Sequence, residues 1–203
     1  LEFSQEVVKE GGYDKVIIQD GSYFHAEYGA GSKSAIVGMT PKYSPAEILR
    51  LTQLMTQEIH KYSPDSEIFL ECNCSYSRKA AGDNYLGFGS YENFDKYNWK
   101  GATEIAAASP YVNWVTPIGK AFANARKNYG FGSSYNHLNY TDNYHPSREG
   151  AYLKACVNYL TLFGDDFPDN PTDCELDPSD AAKLRNAARD IVYGHREDFH
   201  FNE

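Results

Sequence analysis

Three segments of the chain have the hydrophobic pattern of buried strands. Residues 13–20 place a run of β-branched residues after two glycines, and residues 67–74 place a similar run after a turn-forming stretch with a proline and an aspartate. Residues 111–119 have a weaker pattern that ends at a proline and a glycine, as a strand entering a loop does. The sequence therefore predicts three buried strands.

Three other segments have the spacing of amphipathic helices. In residues 44–62, Ser44 is a suitable N-cap, and Glu47 completes a capping box with it. Residues 148–164 end on a glycine, and residues 177–194 begin with an aspartate cap followed by proline. The apolar positions at helical spacing are Ile48, Leu51, Met55 and Ile59 in the first helix, Tyr152, Cys156, Tyr159, Leu160 and Phe163 in the second, and Ala181, Leu184, Ala188, Ile191 and Val192 in the third.

The alternation of these segments predicts an α/β fold in which helices cover both faces of a parallel sheet. Residues 75–104 and 128–146, rich in Tyr, Asn, Gly and Ser, are predicted to be long loops of the kind that carry function. We expect one domain over residues 1–203, with residues 165–203 as its C-terminal helical extension. Since three strands are few for such a sheet and the first residue is not methionine, we expect the first strands to precede Leu1.

Composition and charge narrow the class of partner. The 203 residues carry a net charge of −9, which argues against nucleic acid or an anionic membrane surface as the main partner. No apolar run approaches the length of a membrane span. The 17 tyrosines fit stacking on sugar rings, and they fit ordinary packing equally well. Neutral and cationic ligands therefore remain open.

The four cysteines do not indicate a metal site. Cys72, Cys74, Cys156 and Cys174 lack the paired spacing of zinc ligands, so we expect no structural metal. Cys156 falls on the apolar side of a predicted helix, where a buried thiol is the usual outcome. A disulfide between Cys156 and Cys174 remains open for an oxidising compartment.

Asp142 and His145 form the chemically most informative pair. A histidine that acts as a general base needs an acceptor at Nδ1, so that the lone pair of Nε2 faces the substrate. A carboxylate three residues upstream can supply that acceptor, and Pro146 restricts His145 to extended geometry. Two alternatives remain open: a surface histidine in a capped loop, or a metal site that includes His137 or His25.

Three segments resemble the SGNH (GDSL-type) hydrolase superfamily. The stretch "DNYHPSREGAYLKACVNYLTLFG" (142–164) resembles the last sequence block of that superfamily, in a branch that continues as HPS-x-x-G-x-YL-x-AC and ends in LFG. "YDKVIIQDGS" (13–22) and "VTPIGKAF" (115–122) resemble two earlier segments of the same branch. The resemblance implies a three-layer, flavodoxin-like fold and an esterase without a cofactor, in which His145 is the base and Asp142 orients it.

The nucleophile of the family is missing from this sequence. The family's serine lies in a G-D-S or G-N-S motif after the first strand, and neither motif occurs here. The resemblance therefore implies a serine encoded upstream of Leu1 or carried by a separate chain. Ser22, which follows a predicted strand, is the alternative nucleophile. Gln19 is the candidate oxyanion donor, and its alternative role is to bond loop backbone at the end of a strand.

The sequence therefore favours a serine esterase that hydrolyses an O-acyl ester, with an acylated glycan or small molecule as substrate. The alternative is a non-catalytic, carbohydrate-binding or structural relative. Other expected partners are a complementary N-terminal fragment or further copies of the chain, and the resemblance favours a secreted or periplasmic location. The aromatic side chains proposed as platforms for sugar rings are Tyr85, Tyr91, Trp99, Tyr135 and Tyr144.

Overall fold

A computed structural model describes residues 2–19, 22–31, 44–74, 87–132, 137–142 and 144–202, without the side chains of residues 2–4, 22 and 91. These ranges contain seven α-helices, three strands and one 3-10 helix. In chain order the elements are α1 (Glu2–Glu10), β1 (Lys15–Ile18), α2 (Ser22–Ala30), α3 (Pro45–Tyr62), β2 (Glu67–Glu71), α4 (Tyr91–Ala108), β3 (Trp114–Thr116), α5 (Ile118–Asn128), α6 (Arg148–Phe163), α7 (Pro178–Val192) and the 3-10 helix Arg196–Phe199.

The three predicted strands form one parallel sheet in the order β1-β2-β3. Ile18 lies beside Leu70, and Leu70 lies beside Val115. Each strand is shorter than the segment that predicted it, and the last two residues of the third segment belong to α5. All three carboxyl ends therefore point to the same edge of the sheet.

One face of the sheet packs against α3 and α4. Ile18, Leu70 and Val115 share a hydrophobic cluster with Ile48 of α3 and Ile105 of α4. The other face is covered by α6 and the 3-10 helix, whose Arg196 guanidinium lies 3.6 Å from the ring centroid of Trp114. The resulting three layers confirm the predicted flavodoxin-like α/β class.

The second cluster joins the three C-terminal helices. Phe122 of α5, Leu153 of α6 and Leu184 of α7 are fully buried within it. The region predicted as a C-terminal extension thus contributes α7 to a core shared with α5 and α6. None of the described helices is long and apolar enough to cross a membrane.

The N-cap of α3 was predicted correctly, but its buried face only in part: Ile48 and Ile59 are buried as predicted. Ser44 accepts from the backbone of Glu47, and the Glu47 side chain accepts from the backbone of Ser44, as the capping box requires. Leu51 and Met55 are exposed. The buried side of the helix contains Thr52 and Thr56 instead. Threonine hydroxyls can be buried because they bond helix carbonyls, as Thr52 does with that of Ile48.

The prediction of a loop over residues 75–104 was wrong for its last part, because α4 begins at Tyr91. The helix crosses α2 at unusually close range. A Cβ on Gly101 would lie 1.8 Å from the His25 carbonyl oxygen, and one on Gly29 would lie 2.1 Å from that of Tyr97. Glycine is unfavourable inside a helix, so each glycine argued against a helix in its own segment. Packing of α2 against α4 stabilises both helices.

Apolar side chains remain exposed at the β1 edge and on α3. Ile17 is 40% exposed on β1, which pairs with β2 alone among the described strands, and Leu51, Leu54 and Met55 are exposed on α3. We expect the isolated chain to self-associate in light scattering coupled to size-exclusion chromatography, since such patches favour association. The double replacement Leu54→Gln and Met55→Gln should reduce the associated fraction. A monodisperse, cooperatively melting wild-type monomer would contradict this expectation.

Candidate active site

Two backbone hydrogen bonds join the two sides of the loop that carries His145. The Tyr140 amide donates to the His145 carbonyl over 2.7 Å, and the Ser147 amide donates to the Leu138 carbonyl over 2.9 Å. Asn139 and Pro146 form an isolated antiparallel bridge between them. His145 is therefore held at the closed end of a short hairpin-like loop.

The same loop is anchored to the start of α6. Ser147 caps the helix by accepting from the Gly150 amide, and its hydroxyl also donates to the His137 carbonyl over 2.6 Å. A Cβ at position 150 would lie 2.0 Å from the Leu138 carbonyl oxygen, so the absence of a side chain at Gly150 permits the contact. The loop and the first turn of α6 therefore pack as one unit.

Asp142 and His145 form the predicted pair. The Asp142 Oδ2 atom lies 2.6 Å from the His145 Nδ1 atom. The other carboxylate oxygen, Oδ1, accepts from the backbone amides of Tyr144 and His145 over 2.8 and 3.0 Å. The ring is 82% exposed, so its Nε2 edge faces away from the carboxylate and toward solvent. This geometry fixes a proton on Nδ1 and leaves Nε2 to act as a base.

The charge of Asp142 is well stabilised. The hydrogen bond to His145 and the two backbone amides lower the pKa of Asp142 from 3.8 to about 2. Asp142 therefore stays ionised throughout the range in which histidine side chains titrate, and it can hold the imidazole in one tautomer over that range.

Gln19 lies directly after β1, at the carboxyl edge of the sheet. Its Oε1 atom accepts from the Lys154 ammonium over 3.1 Å, so the hydrogens on Nε2 point away from that lysine. Lys154 also lies 2.6 Å from the Glu71 carboxylate, which is 2% exposed at the end of β2. The amide of Gln19 is thus oriented by an ion pair on the neighbouring strand and helix.

Lys154 and Glu71 were not singled out by the sequence. Lys154 occurs within a strongly patterned helix, where a single lysine reads as a solvent-facing residue, and Glu71 occurs near the end of an apolar strand. A charged residue at the end of a buried strand is the signal that could have identified Glu71. The pairing of Glu71 with Lys154 depends on how α6 packs against the sheet. The residues near either position do not determine that packing.

The remaining candidates divide between described and undescribed positions. Ser22 is the first residue of α2, and its side chain lies outside the described part of the chain. His25 is buried in α2, and His137 is exposed. Within the described ranges, no group of three or more His, Cys, Asp or Glu side chains could hold a metal ion.

The aromatic residues proposed as platforms for sugar rings lie in different parts of the structure. Trp99 was wrongly expected on a loop: it lies in α4, packs edge-on against Phe199 and is partly buried in the core. Tyr144 is exposed beside His145, and Tyr140, which the sequence did not single out, is exposed on the same loop. Tyr85, Tyr135 and the Tyr91 side chain lie outside the described residues.

Comparison with known proteins finds a structural relative. No protein-family model and no curated protein matches the chain. Among solved structures, the crystal structure of a DUF4886 family protein from Bacteroides uniformis matches with a TM-score of 0.72 at 16% sequence identity. The match covers 95% of this chain and 67% of that one. At this identity the similarity establishes a shared fold, a parallel sheet between layers of helices, and it leaves the chemistry to be argued from the site.

Proposed function

We propose that this chain supplies the acid–base part of an SGNH-type serine esterase that hydrolyses O-acyl esters. The observation that carries the proposal is the 2.6 Å contact between Asp142 Oδ2 and His145 Nδ1, with the opposite edge of the ring open to a substrate. Two backbone amides hold the Asp142 carboxylate, so the acceptor at Nδ1 is positioned before a substrate binds.

In the first half of the reaction, Nε2 of His145 takes the proton of a serine hydroxyl while the serine oxygen attacks the ester carbonyl carbon. The imidazolium then protonates the departing alcohol as the tetrahedral intermediate collapses to an acyl-enzyme. Asp142 keeps the Nδ1 proton in place and stabilises the positive ring through the same hydrogen bond.

In the second half, water replaces the alcohol. His145 removes a proton from this water, the resulting hydroxide attacks the acyl carbonyl, and the proton returns to the serine oxygen as the acid leaves. Both halves develop negative charge on the carbonyl oxygen, and the outward-facing Nε2 hydrogens of Gln19 are the proposed donors to it.

We propose that the serine is provided by residues outside this chain. Its place is at the carboxyl edge of the sheet, where ligands of parallel α/β sheets bind and where Gln19 and Glu71 lie. Its hydroxyl must come within about 3 Å of His145 Nε2. The exposed β1 edge offers a pairing site for a strand that would bring it there.

The favoured substrate is an acylated sugar. Tyr140 and Tyr144 expose their rings on the loop that carries the catalytic pair, and flat phenol rings suit stacking on pyranose faces. The net charge of −9 favours an uncharged substrate over an anionic one.

The decisive experiment is hydrolysis of a chromogenic acyl ester by two proteins: the 203-residue chain and a version extended upstream to include a G-D-S or G-N-S segment. Activity in the extended protein alone, abolished by His145→Ala, supports the proposal. Activity of the chain itself that Ser22→Ala removes would move the nucleophile to Ser22. Hydrolysis by neither protein would indicate a binding protein instead.

Lys154 provides a separate prediction. In the extended protein, Lys154→Met should lower kcat about 10-fold with little change in KM, because the Gln19 amide loses the partner that orients it and an oxyanion donor acts mainly in the transition state. Lys154→Arg should retain most of the activity. Lys183→Met, which removes a lysine paired with Asp180 on the surface of α7, is the matched control. Equal losses in both methionine variants would show that Lys154 has no special role.

A further inference from the structure

Two cysteines that the ester chemistry does not use lie on the contact between α6 and residues 172–176. The hydroxyl of Tyr152 on α6 donates to the Thr172 carbonyl over 2.8 Å. Arg185 of α7 donates to that hydroxyl and to the Asp173 carboxylate, each over 2.6 Å. These contacts fasten the segment to both helices.

Cys156 and Cys174 are brought together by this contact. Cys156 follows Tyr152 by four residues, so both side chains lie on the same side of α6, about 6 Å apart along its axis. Cys174 lies between Thr172, which contacts Tyr152, and Leu176, which is buried in the cluster that contains Cys156. Burial raises the pKa of Cys156 to about 12, and the nearby Cys174 adds to that rise.

The backbone at Cys174 has an unusual conformation. Cys174 and Glu175 have φ values of +51° and +62°, a region that residues other than glycine, asparagine and aspartate seldom adopt. Two such residues in succession persist only where surrounding contacts hold them, and the Arg185 contact to Asp173 is one of these. The turn therefore holds Cys174 at a fixed place beside α6.

We propose that Cys156 and Cys174 form a site of thiol–disulfide exchange, at which a small-molecule disulfide such as oxidised glutathione converts the two thiols to an intramolecular disulfide. Both residues are free cysteines in the structure. The oxidised form ties residues 172–176 covalently to α6. This site is independent of the proposed ester chemistry.

The exchange proceeds in two balanced steps. The Cys174 thiolate attacks one sulfur of oxidised glutathione, the glutathione S–S bond breaks, and one glutathione thiolate leaves. Cys156 then gives its proton to solvent and attacks the Cys174 sulfur, which releases the second glutathione. Two protein thiols are oxidised, and one disulfide molecule is reduced to two thiols.

The two cysteines have different parts in this sequence. Cys174 is exposed and meets the reagent first, whereas Cys156 is 5% exposed and resolves the mixed disulfide from inside the contact. A thiol with a high pKa is a poor leaving group, so the reverse exchange that expels Cys156 is slow.

The test is treatment of the folded 203-residue chain with oxidised glutathione, followed by alkylation, peptide mapping and thermal melting. We expect a product lighter by two hydrogen atoms, with one crosslink between Cys156 and Cys174 and a midpoint raised by about 5–10 °C, which a dithiol reverses. A lasting glutathione adduct on Cys174 with Cys156 still open to alkylation after unfolding would overturn the proposal. So would a crosslink that involves Cys72 or Cys74.

Three variants sharpen the result. Cys174→Ser changes an exposed residue and should abolish both the crosslink and the rise in melting midpoint. Cys156→Ala should leave a stable glutathione adduct on Cys174. Cys74→Ala, which also replaces a buried cysteine, should leave the crosslink unchanged. Loss of the crosslink in the Cys74 variant would contradict the assignment.

Discussion

Asp142→Asn is expected to lower kcat for ester hydrolysis about 10³–10⁴-fold in the upstream-extended protein while the fold stays intact. An asparagine amide donates to Nδ1, which moves the imidazole proton to Nε2 and removes the lone pair that accepts the serine proton. KM should change little, because the carboxylate contacts His145 rather than the substrate. Steady-state kinetics on a chromogenic ester measure both constants.

Three further variants delimit this result. His145→Ala should cost at least as much as Asp142→Asn, and the double variant should be no worse than His145→Ala alone, since the two residues act as a unit. Asp180→Asn replaces an aspartate paired with Lys183 on α7 and should leave kcat unchanged. If the Asp142 variant kept more than about a tenth of the wild-type kcat, the pair would not be the catalytic base.

The lowered pKa of Asp142 also determines the pH range over which its ionised form stabilises the protein. Its ionised form contributes stability that is fully present above the ordinary value of 3.8 and is lost as pH falls through about 2. A decline in hydrolysis at higher pH would therefore not come from protonation of Asp142, and the pH dependence of kcat measures where the decline lies.

Gly150→Ala is the second change with a large expected effect. Helix propensity alone favours alanine over glycine by about 1 kcal/mol. The new Cβ, however, would lie 2.0 Å from the Leu138 carbonyl oxygen, a backbone atom that cannot rotate away. We expect a net loss of about 2–4 kcal/mol in the free energy of unfolding, measured by urea denaturation.

The same replacement should displace the loop that carries His145, so hydrolysis by the extended protein should fall in parallel with stability. Gly132→Ala is the control: a Cβ there meets its nearest neighbour, the Arg126 carbonyl oxygen, at 3.4 Å. That variant should change the free energy of unfolding by less than about 0.5 kcal/mol. Equal stability of the two variants would show that the loop adjusts without cost.

What could be predicted from the sequence was local. The strands, the caps of α3 and α7 and the Asp142–His145 pair each depend on residues within a few positions of one another, so short-range geometry determines them. The spacing D-x-x-H brings a carboxylate to Nδ1 with only one turn of backbone, which is why the sequence sufficed for that contact.

What could not be predicted depends on contacts between distant segments. Gly29 and Gly101 permit the crossing of α2 and α4, yet each glycine weakens the helical pattern of its own segment. The exposure of Leu51 follows from the direction in which α3 meets the sheet, which its apolar spacing does not specify. The Lys154 contacts join α6 to the ends of two strand segments, Gln19 after β1 and Glu71 in β2, both more than 80 residues earlier in the chain.

The openness of the His145 ring bears on which esters react well. Water has access to an imidazole that is 82% exposed, where it competes for Nε2 and weakens the electrostatic support from Asp142. A leaving alcohol broad enough to cover the ring displaces that water and strengthens both interactions. If the proposed esterase activity holds, we expect selectivity for bulky alcohol groups over methyl or ethyl esters, because hydration of the base alone favours them.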